Sequence, residues 1–150
     1  MPQGVAVFNS RSVKGEVVFT QRGKDVTIKA TFTQLPAGEH GFHIHKAGDL
    51  RGEGCKLACD HFHDGPPCNH GGPPGKGAGE RHTGDLGNIS MREAPYTYTL
   101  KGLKVEDLWG RSVIVHADVD DLGLGGEEDS LTTGHSGKRI ACAVIGRTAC

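Results

Sequence analysis

Residues 17–32 of the chain read VVFTQRGKDVTIKATF, and this stretch decides the fold class. From residue 26 to residue 32, apolar and polar side chains alternate one by one. A period of two is typical of a half-buried β-strand. The apolar run 17–19 precedes it, and the polar segment 21–25 between the two runs is typical of a hairpin turn. The stretch therefore predicts two antiparallel strands.

Short runs of the same kind recur along the chain, at 5–8, 97–100, 112–116 and 140–145. We find no sustained helical period in the sequence, and only residues 105–109 favour a single helical turn. Several short strands separated by turns predict an all-β fold, either an antiparallel sandwich or a barrel. With 150 residues, a single domain spanning 1–150 is expected.

Two stretches of the sequence, 47–89 and 117–138, do not fit strands and are rich in glycine. Loops this long are uncommon in compact domains unless they carry function or are disordered. The formal net charge of −1 does not indicate a nucleic-acid or membrane-surface partner. No stretch of the sequence reaches the roughly 20 apolar residues of a membrane span, and residues 1–20 show no secretory signal. We therefore expect a cytoplasmic protein.

The five cysteines are Cys55, Cys59, Cys68, Cys142 and Cys150. Cytosolic proteins usually keep their thiols reduced, which favours free cysteines. The odd count leaves at least one cysteine without a partner in the same chain.

Seven of the nine histidines lie between His40 and His82. Two of them, His43 and His45, fall in a predicted strand, whose alternation puts both imidazoles on one face and the apolar residues beside them on the core face. Their backbones are about 7 Å apart, from twice the rise per residue, so both rings can reach one metal ion. The alternative is a pair of exposed strand histidines.

Three further histidines and a carboxylate share the loop rich in glycine and proline: His61, His70, His82 and Asp85. Three imidazoles and one carboxylate suit a closed tetrahedral zinc site, and a metal ion could fold a loop that has few apolar residues. The alternatives are a solvated histidine-rich loop and a nonspecific metal-sequestering tract. His63 has no obvious partner in the sequence and is expected to be exposed.

His116 follows an apolar run and ends a predicted strand. Taken alone, it is most simply a structural strand histidine. Asp120 could accept hydrogen bonds from metal-bound histidines, because such imidazoles usually donate their second N–H to a carboxylate or carbonyl. The alternative is that Asp120 and Asp121 form a solvated acidic pair.

These motifs occur in an order that resembles the copper/zinc superoxide dismutase family over most of the chain. The matching segments are 41–45 (GFHIH), 61–62 (HF), 70–73 (HGGP), 79–88 (GERHTGDLGN), 115–116 (VH), 120–123 (DDLG), 133–134 (TG) and 139–146 (RIACAVIG). The resemblance implies a Greek-key β-sandwich, or flattened eight-stranded antiparallel barrel, with long metal-binding and electrostatic loops.

The resemblance further implies two metal ions that share one histidine. The copper ligands would be His43, His45, His61 and His116, and the zinc ligands His61, His70, His82 and Asp85. Asp120 would link His43 to His70 from outside the two ligand sets, and Cys55 would pair with Cys142 in a disulfide. Arg139 would lie in the active site and Thr133 in the substrate channel.

The implied activity is the dismutation of superoxide, in which Cu(II) oxidises one superoxide to oxygen and Cu(I) reduces a second to hydrogen peroxide. His61 would leave copper and take up a proton on reduction, then return it. The family also implies an antioxidant oxidoreductase with one copper and one zinc per subunit. It implies a homodimer, and a copper chaperone as a candidate partner.

The lengths of two segments depart from the family pattern. The segment from His45 to Cys55 is one residue longer than in typical members, which weakens the expectation of a dimer because this region helps to form the dimer contact. The zinc loop is also longer, at 73–79, but its ligands are retained and zinc binding is expected.

The charges around the substrate channel depart as well. Asp118 and Thr132 stand where many members carry lysine, and Leu124 adds no positive charge. Steering of superoxide is then expected to be weaker, or to rely on Arg139 and Lys138, with a shallower dependence on ionic strength.

Three cysteines are not family hallmarks. Cys59 and Cys68 are close in sequence within the metal loop, and we hypothesise a second disulfide between them that would rigidify the loop; two free thiols are the alternative. Cys150 is expected to be free or intermolecular.

Two rival functions are a non-catalytic relative, such as a copper chaperone domain or a decoy, and a zinc or copper buffer. Relatives of the first kind commonly lose a copper ligand or the arginine, and all of these are present here. No CxxC motif precedes Val5, which counts against a chaperone. A buffer would explain the histidine-rich loop but not Arg139 or the paired cysteine positions, so the enzyme is favoured.

Overall fold

A computed structural model describes residues 3–76, 79–92 and 95–149. Over these residues the chain forms nine β-strands and two single-turn 3-10 helices, Lys56–Ala58 and Val105–Asp107. The strands are β1 (Gln3–Asn9), β2 (Lys14–Arg22), β3 (Asp25–Gln34), β4 (His40–His45), β5 (Asp85–Ile89), β6 (Tyr96–Leu100), β7 (Ser112–His116), β8 (Arg139–Val144) and β9 (Gly146–Arg147). In these ranges no helix is both long and apolar enough to cross a membrane.

The strands form two antiparallel sheets, with the orders β6-β3-β2-β1-β9 and β5-β4-β7-β8. The chain crosses from one sheet to the other between β3 and β4 and returns between β5 and β6, which gives the Greek-key connection. The prediction of an all-β sandwich is confirmed, and its two sheets do not close into a continuous barrel. The ninth strand, β9, is a two-residue continuation of the chain after β8 that pairs with β1 of the opposite sheet.

The hairpin predicted from residues 17–32 is formed by β2 and β3, which pair in register from Arg22 opposite Asp25 to Val17 opposite Ala30. Its connection is shorter than the predicted segment 21–25, because only Gly23 and Lys24 lie between the strands. Gly23 has a φ of 62°, and it stands at the position where a type II′ turn favours glycine.

The core lies between the two sheets, and phenylalanines from both sheets meet in it. The ring centroids of Phe8 and Phe32 are 5.8 Å apart, and those of Phe32 and Phe42 are 5.7 Å apart. Phe42 and Ile44 of β4 both belong to this core. The alternation along β4 therefore turns His43 and His45 away from the core, as predicted, toward the loops that cover this sheet.

Candidate metal centre

Four buried imidazoles converge on the outer side of the four-stranded sheet. His43 and His45 come from β4, and His116 ends β7 beside them. His61 arrives from the loop through an isolated bridge with His45. One nitrogen from each of the four lies within 4.8 Å of the others, so the group can hold one metal ion.

A second group, His61, His70, His82 and Asp85, also offers four ligand atoms within 4.8 Å of one another. Asp85 begins β5 and is fully buried. Its Oδ1 lies 2.9 Å from His61 Nδ1 and 3.0 Å from His70 Nδ1, and its Oδ2 lies 3.3 Å from His82 Nδ1. The four residues surround one point, which suits a tetrahedral ion.

Hydrogen bonds to the outer ring nitrogens determine which nitrogen of each histidine faces the centre. His45 Nδ1 donates to the Cys59 carbonyl at 2.8 Å, His116 Nδ1 to the Gly137 carbonyl at 3.1 Å, and His82 Nε2 to the Cys68 carbonyl at 2.9 Å. A neutral imidazole carries one proton, so the other nitrogen of each ring is a bare acceptor. These bonds orient the ligands as outer partners do in metal sites.

Asp120 provides the same kind of bond for His43 and His70. His43 Nε2 donates to its Oδ2 at 2.6 Å, and His70 Nε2 donates to its Oδ1 at 2.7 Å. The carboxylate thus joins one residue of each ligand group, and it is buried, not a solvated acidic group. Asn88 holds it in place, since Asn88 Oδ1 accepts from the Asp120 N–H at 2.7 Å and Asn88 Nδ2 donates to the Asp120 carbonyl at 2.9 Å.

The inner nitrogens show that the residues fit metal ions. In the described part of the chain, six buried ring nitrogens have no hydrogen-bond partner: His43 Nδ1, His45 Nε2, His61 Nε2, His70 Nδ1, His82 Nδ1 and His116 Nε2. Buried polar atoms are rarely left unpaired. Two of these acceptors also face the carboxylate of Asp85. Acceptors that oppose acceptors require a cation between them, which is what a metal ion supplies.

His61 differs from the other five histidines. Its Nε2 belongs to the four-histidine group, while its Nδ1 points at Asp85 in the second group. Both of its nitrogens are therefore directed at a candidate ion, and neither is used for an outer carbonyl bond. The geometry fits an imidazole that bridges two ions.

Burial lowers the pKa of His43 and of His45 well below the ordinary value, and neighbouring imidazoles lower both further. The same two causes lower the pKa of His116 to about 4. These rings are therefore neutral near pH 7, which is the form that binds metals. Burial also lowers the pKa of His70, but bonds to Asp120 and Asp85 outweigh it and raise that pKa to about 9. A metal ion that binds His70 Nδ1 must therefore compete with a proton.

A cavity of about 840 Å³ opens beside the four-histidine group, and its wall includes His61, His116, Thr132, Thr133, Lys138 and Arg139. Arg139 donates from Nη1 to the Cys55 carbonyl at 2.9 Å and from Nη2 to the Cys59 carbonyl at 2.7 Å. Because Cys59 also accepts from His45, one backbone carbonyl aligns both the guanidinium and an imidazole. Thr133 lies in the same wall, where the channel residue was expected.

A disulfide joins Cys55 to Cys142, 87 residues apart in sequence. It ties the metal loop to β8, the strand that begins with Arg139. By contrast, Cys59 and Cys68 are free thiols, so the second disulfide hypothesised from their closeness in sequence is not formed. The Cys68 thiol instead faces the Arg81 carbonyl at 3.3 Å. Cys150 lies outside the described residues.

Three other histidines, His40, His63 and His135, belong to neither group, and His63 differs from expectation. His40 is buried between the carbonyls of His116 and Pro36. The expectation that His63 is exposed and without a partner is wrong: it is partly buried and hydrogen-bonded to Thr83 and Cys68. Those contacts depend on the folded loop, so the sequence spacing carried no signal of them.

The site requires Gly134, a residue that the sequence analysis named only as part of the motif 133–134. It has a φ of 74°, and a Cβ placed on it would lie 2.1 Å from Asp120 Oδ1 and 2.4 Å from His70 Nε2. Any side chain here would push the Asp120 carboxylate off its histidines.

Cys59 carries backbone strain. It has a φ of 65° and a ψ of −156°, a region essentially limited to glycine that costs other residues about 1–3 kcal/mol. Its side chain is exposed. We expect Cys59→Gly to raise the free energy of unfolding by about 1 kcal/mol, after about 0.5–1 kcal/mol is subtracted for the entropy of glycine.

Urea denaturation of the metal-loaded protein measures this gain. Cys59→Ala is the matched control, because it removes the thiol but keeps the Cβ and its strain. An equal gain in both variants would show that the thiol, and not the backbone, is responsible.

The fold and the site together define a β-sandwich protein with a buried centre for two metal ions bridged by one histidine. The profile of the family described as copper/zinc superoxide dismutase (SODC) matches residues 13–145. A Cu-Zn superoxide dismutase of Paramecium bursaria Chlorella virus 1 is 47% identical over 89% of this chain and 73% of its own. Cu-Zn superoxide dismutase 2 of Brassica juncea is 43% identical over 97% of this chain and 98% of its own.

Among solved structures, the clock protein EA4 superimposes with a TM-score of 0.83 at 36% identity, covering 96% of this chain and 93% of that one. The chain therefore belongs to the copper/zinc superoxide dismutase family.

Proposed function

We propose that the protein is a superoxide dismutase that converts two superoxide anions and two protons into oxygen and hydrogen peroxide. The observation that carries this proposal is the group of four imidazoles whose unpartnered nitrogens meet beside a channel containing Arg139. Family membership supports the same activity.

The residues divide into two ligand sets that share His61. His43, His45, His61 and His116 would hold copper, and His61, His70, His82 and Asp85 would hold zinc; within each set the ligand atoms lie within 4.8 Å of one another. Copper supplies one-electron redox chemistry when bound. A carboxylate added to imidazoles in a closed tetrahedral set suits zinc, whereas imidazole donors alone suit either metal. Membership of the copper/zinc family therefore assigns copper to the four-histidine set.

The chain's own residues bind the anion and handle protons. Two backbone carbonyls accept hydrogen bonds from Arg139, so its guanidinium is held in one orientation at the channel wall. A guanidinium offers charge-assisted hydrogen bonds to a small anion. Nε2 of His61 belongs to the four-histidine group beside the channel, and it is the atom at which we place the proton delivered to product.

Superoxide consumption by the copper- and zinc-reconstituted protein tests the proposal. We expect turnover that persists when EDTA is added to chelate free copper, which itself dismutates superoxide. Arg139→Ala should lower kcat/KM while leaving both metals bound, because Arg139 is in neither ligand set. Wild-type turnover that disappears once free copper is chelated would refute the enzyme and leave the metal-buffer alternative.

We propose further that the protein acts as a cytoplasmic homodimer loaded by a copper chaperone. Two free thiols, Cys59 and Cys68, suit a reducing compartment. Leu50 is an exposed apolar side chain in the segment from His45 to Cys55, where the family resemblance puts the dimer contact, and the exposed Leu57 lies just beyond it. Sedimentation velocity decides between the 15.9 kDa monomer and its dimer. Cell fractionation tests the cytoplasmic location. The copper content of the protein from cells without a copper chaperone tests whether a chaperone loads it.

The charges that line the channel predict weak electrostatic steering of superoxide. Among the described residues lining it, the cations Lys138 and Arg139 are matched by the anions Asp60 and Asp129. We therefore expect kcat/KM to fall less steeply with ionic strength than in relatives that carry the missing lysines, because steering scales with the net local field.

Rates measured between about 10 and 200 mM salt, over which the Debye length shortens from about 30 to 10 Å or less, check this. Lys138→Ala should reduce the rate mainly at low salt, and Lys14→Ala, in β2 and away from the channel, should not. A slope as steep as that of a lysine-bearing relative measured in parallel would contradict the expectation.

A further inference from the structure

His63 and Cys68 lie in the metal loop but in neither ligand group. Their side chains meet: His63 Nε2 is 3.4 Å from Cys68 Sγ. Together they connect three parts of the loop around zinc ligand His82, and nothing in the ligand sets accounts for them.

The hydrogen-bond directions form a single chain. The Thr83 backbone N–H donates to His63 Nδ1 at 3.1 Å, so the proton of the neutral ring lies on Nε2. That Nε2–H points at Cys68 Sγ, and the Cys68 S–H in turn donates to the Arg81 carbonyl at 3.3 Å. We call this Thr83–His63–Cys68–Arg81 chain the loop brace.

The same arrangement argues against His63 and Cys68 as a metal site of their own. A metal on His63 Nε2 would require a proton on Nδ1, which would then oppose the Thr83 N–H. The pair is built to accept and donate hydrogen bonds, so its role is to hold the loop.

His82 is the ligand that needs such support. Its side chain is 14% exposed, whereas those of His61, His70 and Asp85 are 2% or less. Packing therefore confines its ring less than it confines the other zinc ligands. The brace surrounds this ring. The Cys68 carbonyl accepts from His82 Nε2 at 2.9 Å, and the His63 ring lies edge-on to the His82 ring, with the centroids 5.7 Å apart. The two residues that flank His82 in sequence, Arg81 and Thr83, are themselves members of the brace.

We infer that His63 and Cys68 are positioning residues that fix the His82 imidazole for zinc and thereby set the zinc affinity of the protein. The inference rests on the zinc set assigned under the proposed function. The two side chains act through His82 and do not touch the ion.

Zinc affinity, measured by competition with a chromophoric chelator, is the readout. His63→Ala and Cys68→Ala are each expected to weaken zinc binding about 10-fold, the low end of the effect of losing a direct partner of a ligand, because the Cys68 carbonyl that accepts from His82 belongs to the backbone and is retained. The two side chains belong to one hydrogen-bonded chain, so losing either one should break it. The zinc affinity of the double variant should therefore be about equal to that of the single variant with the lower affinity. Cys68→Ser, which can still accept and donate, should recover most of the affinity.

His135→Ala is the matched control, since it removes an exposed imidazole that lies outside both ligand groups and outside the brace; its zinc affinity should equal that of the wild type. Co²⁺ absorption in a His116→Ala background, where the copper group lacks a ligand, reports the geometry of the zinc set. The His63→Ala change should alter the Co²⁺ bands.

Unchanged zinc affinity and unchanged Co²⁺ bands in both single variants would overturn the inference, and so would strictly additive losses in the double variant. If Cys68→Ala does not fold, the comparison of His63→Ala with Cys68→Ser still decides. Failure of the proposed function would look different, because the wild type itself would then bind no zinc or show no superoxide turnover.

Discussion

Replacing His116 with alanine is expected to abolish copper-dependent superoxide turnover while one zinc per chain is retained. His116 Nε2 is an unpartnered buried nitrogen of the four-histidine group, and the zinc group does not contain it. Its removal leaves three imidazoles for copper and opens space at the channel wall. The zinc set keeps its four ligand atoms, including Nδ1 of His61.

Metal content by mass spectrometry and superoxide consumption on the same preparation measure the two effects. His135→Ala is the control, because it removes an exposed imidazole that lies outside both groups. We expect that variant to keep both metals. A His116→Ala protein that retained copper and full turnover would show that the four-histidine group is not the redox site.

Removing the disulfide with Cys142→Ala is expected to lower the free energy of unfolding by on the order of 4 kcal/mol. The size follows from the 87-residue separation of the two cysteines, since cross-linking a long loop removes much of the entropy of the unfolded chain. For a chain of this length the melting temperature should fall by on the order of 10 °C.

A second effect of the same change concerns activity. The Cys55 carbonyl anchors Arg139, so a loop released from β8 should also lower kcat/KM. Thermal unfolding and turnover of the metal-loaded protein test both effects, with Cys59→Ser as a variant that loses a thiol without losing a cross-link. A melting temperature within about 2 °C of the wild type would contradict the stabilising role.

Local pattern was enough to predict the strands. The alternation in 17–32 predicts the β2–β3 hairpin because side-chain period depends only on neighbours along the chain. The same alternation put His43 and His45 on one face of β4. The shorter turn at Gly23 and Lys24 differs from prediction because polar strand ends look like turn residues in sequence.

The loop shows where local pattern fails. Cys59 and Cys68 are nine residues apart, yet they do not pair, whereas Cys55 pairs with Cys142 across 87 residues. Closeness in sequence says little about closeness in space within a loop pinned to a sheet. The pairing that formed was expected only from family resemblance, because geometry of this kind depends on the whole fold.

The sequence by itself determined the all-β class and, through its motifs, the family and the candidate metal-binding residues. Only the tertiary structure decided which nitrogen of each imidazole faces the centre, because that depends on carbonyls and carboxylates brought from distant segments. It also turned His63 from an expected solvent-exposed residue into part of the loop brace. Residue type determines which side chains can bind a metal ion, but the packed loops determine how those side chains are oriented.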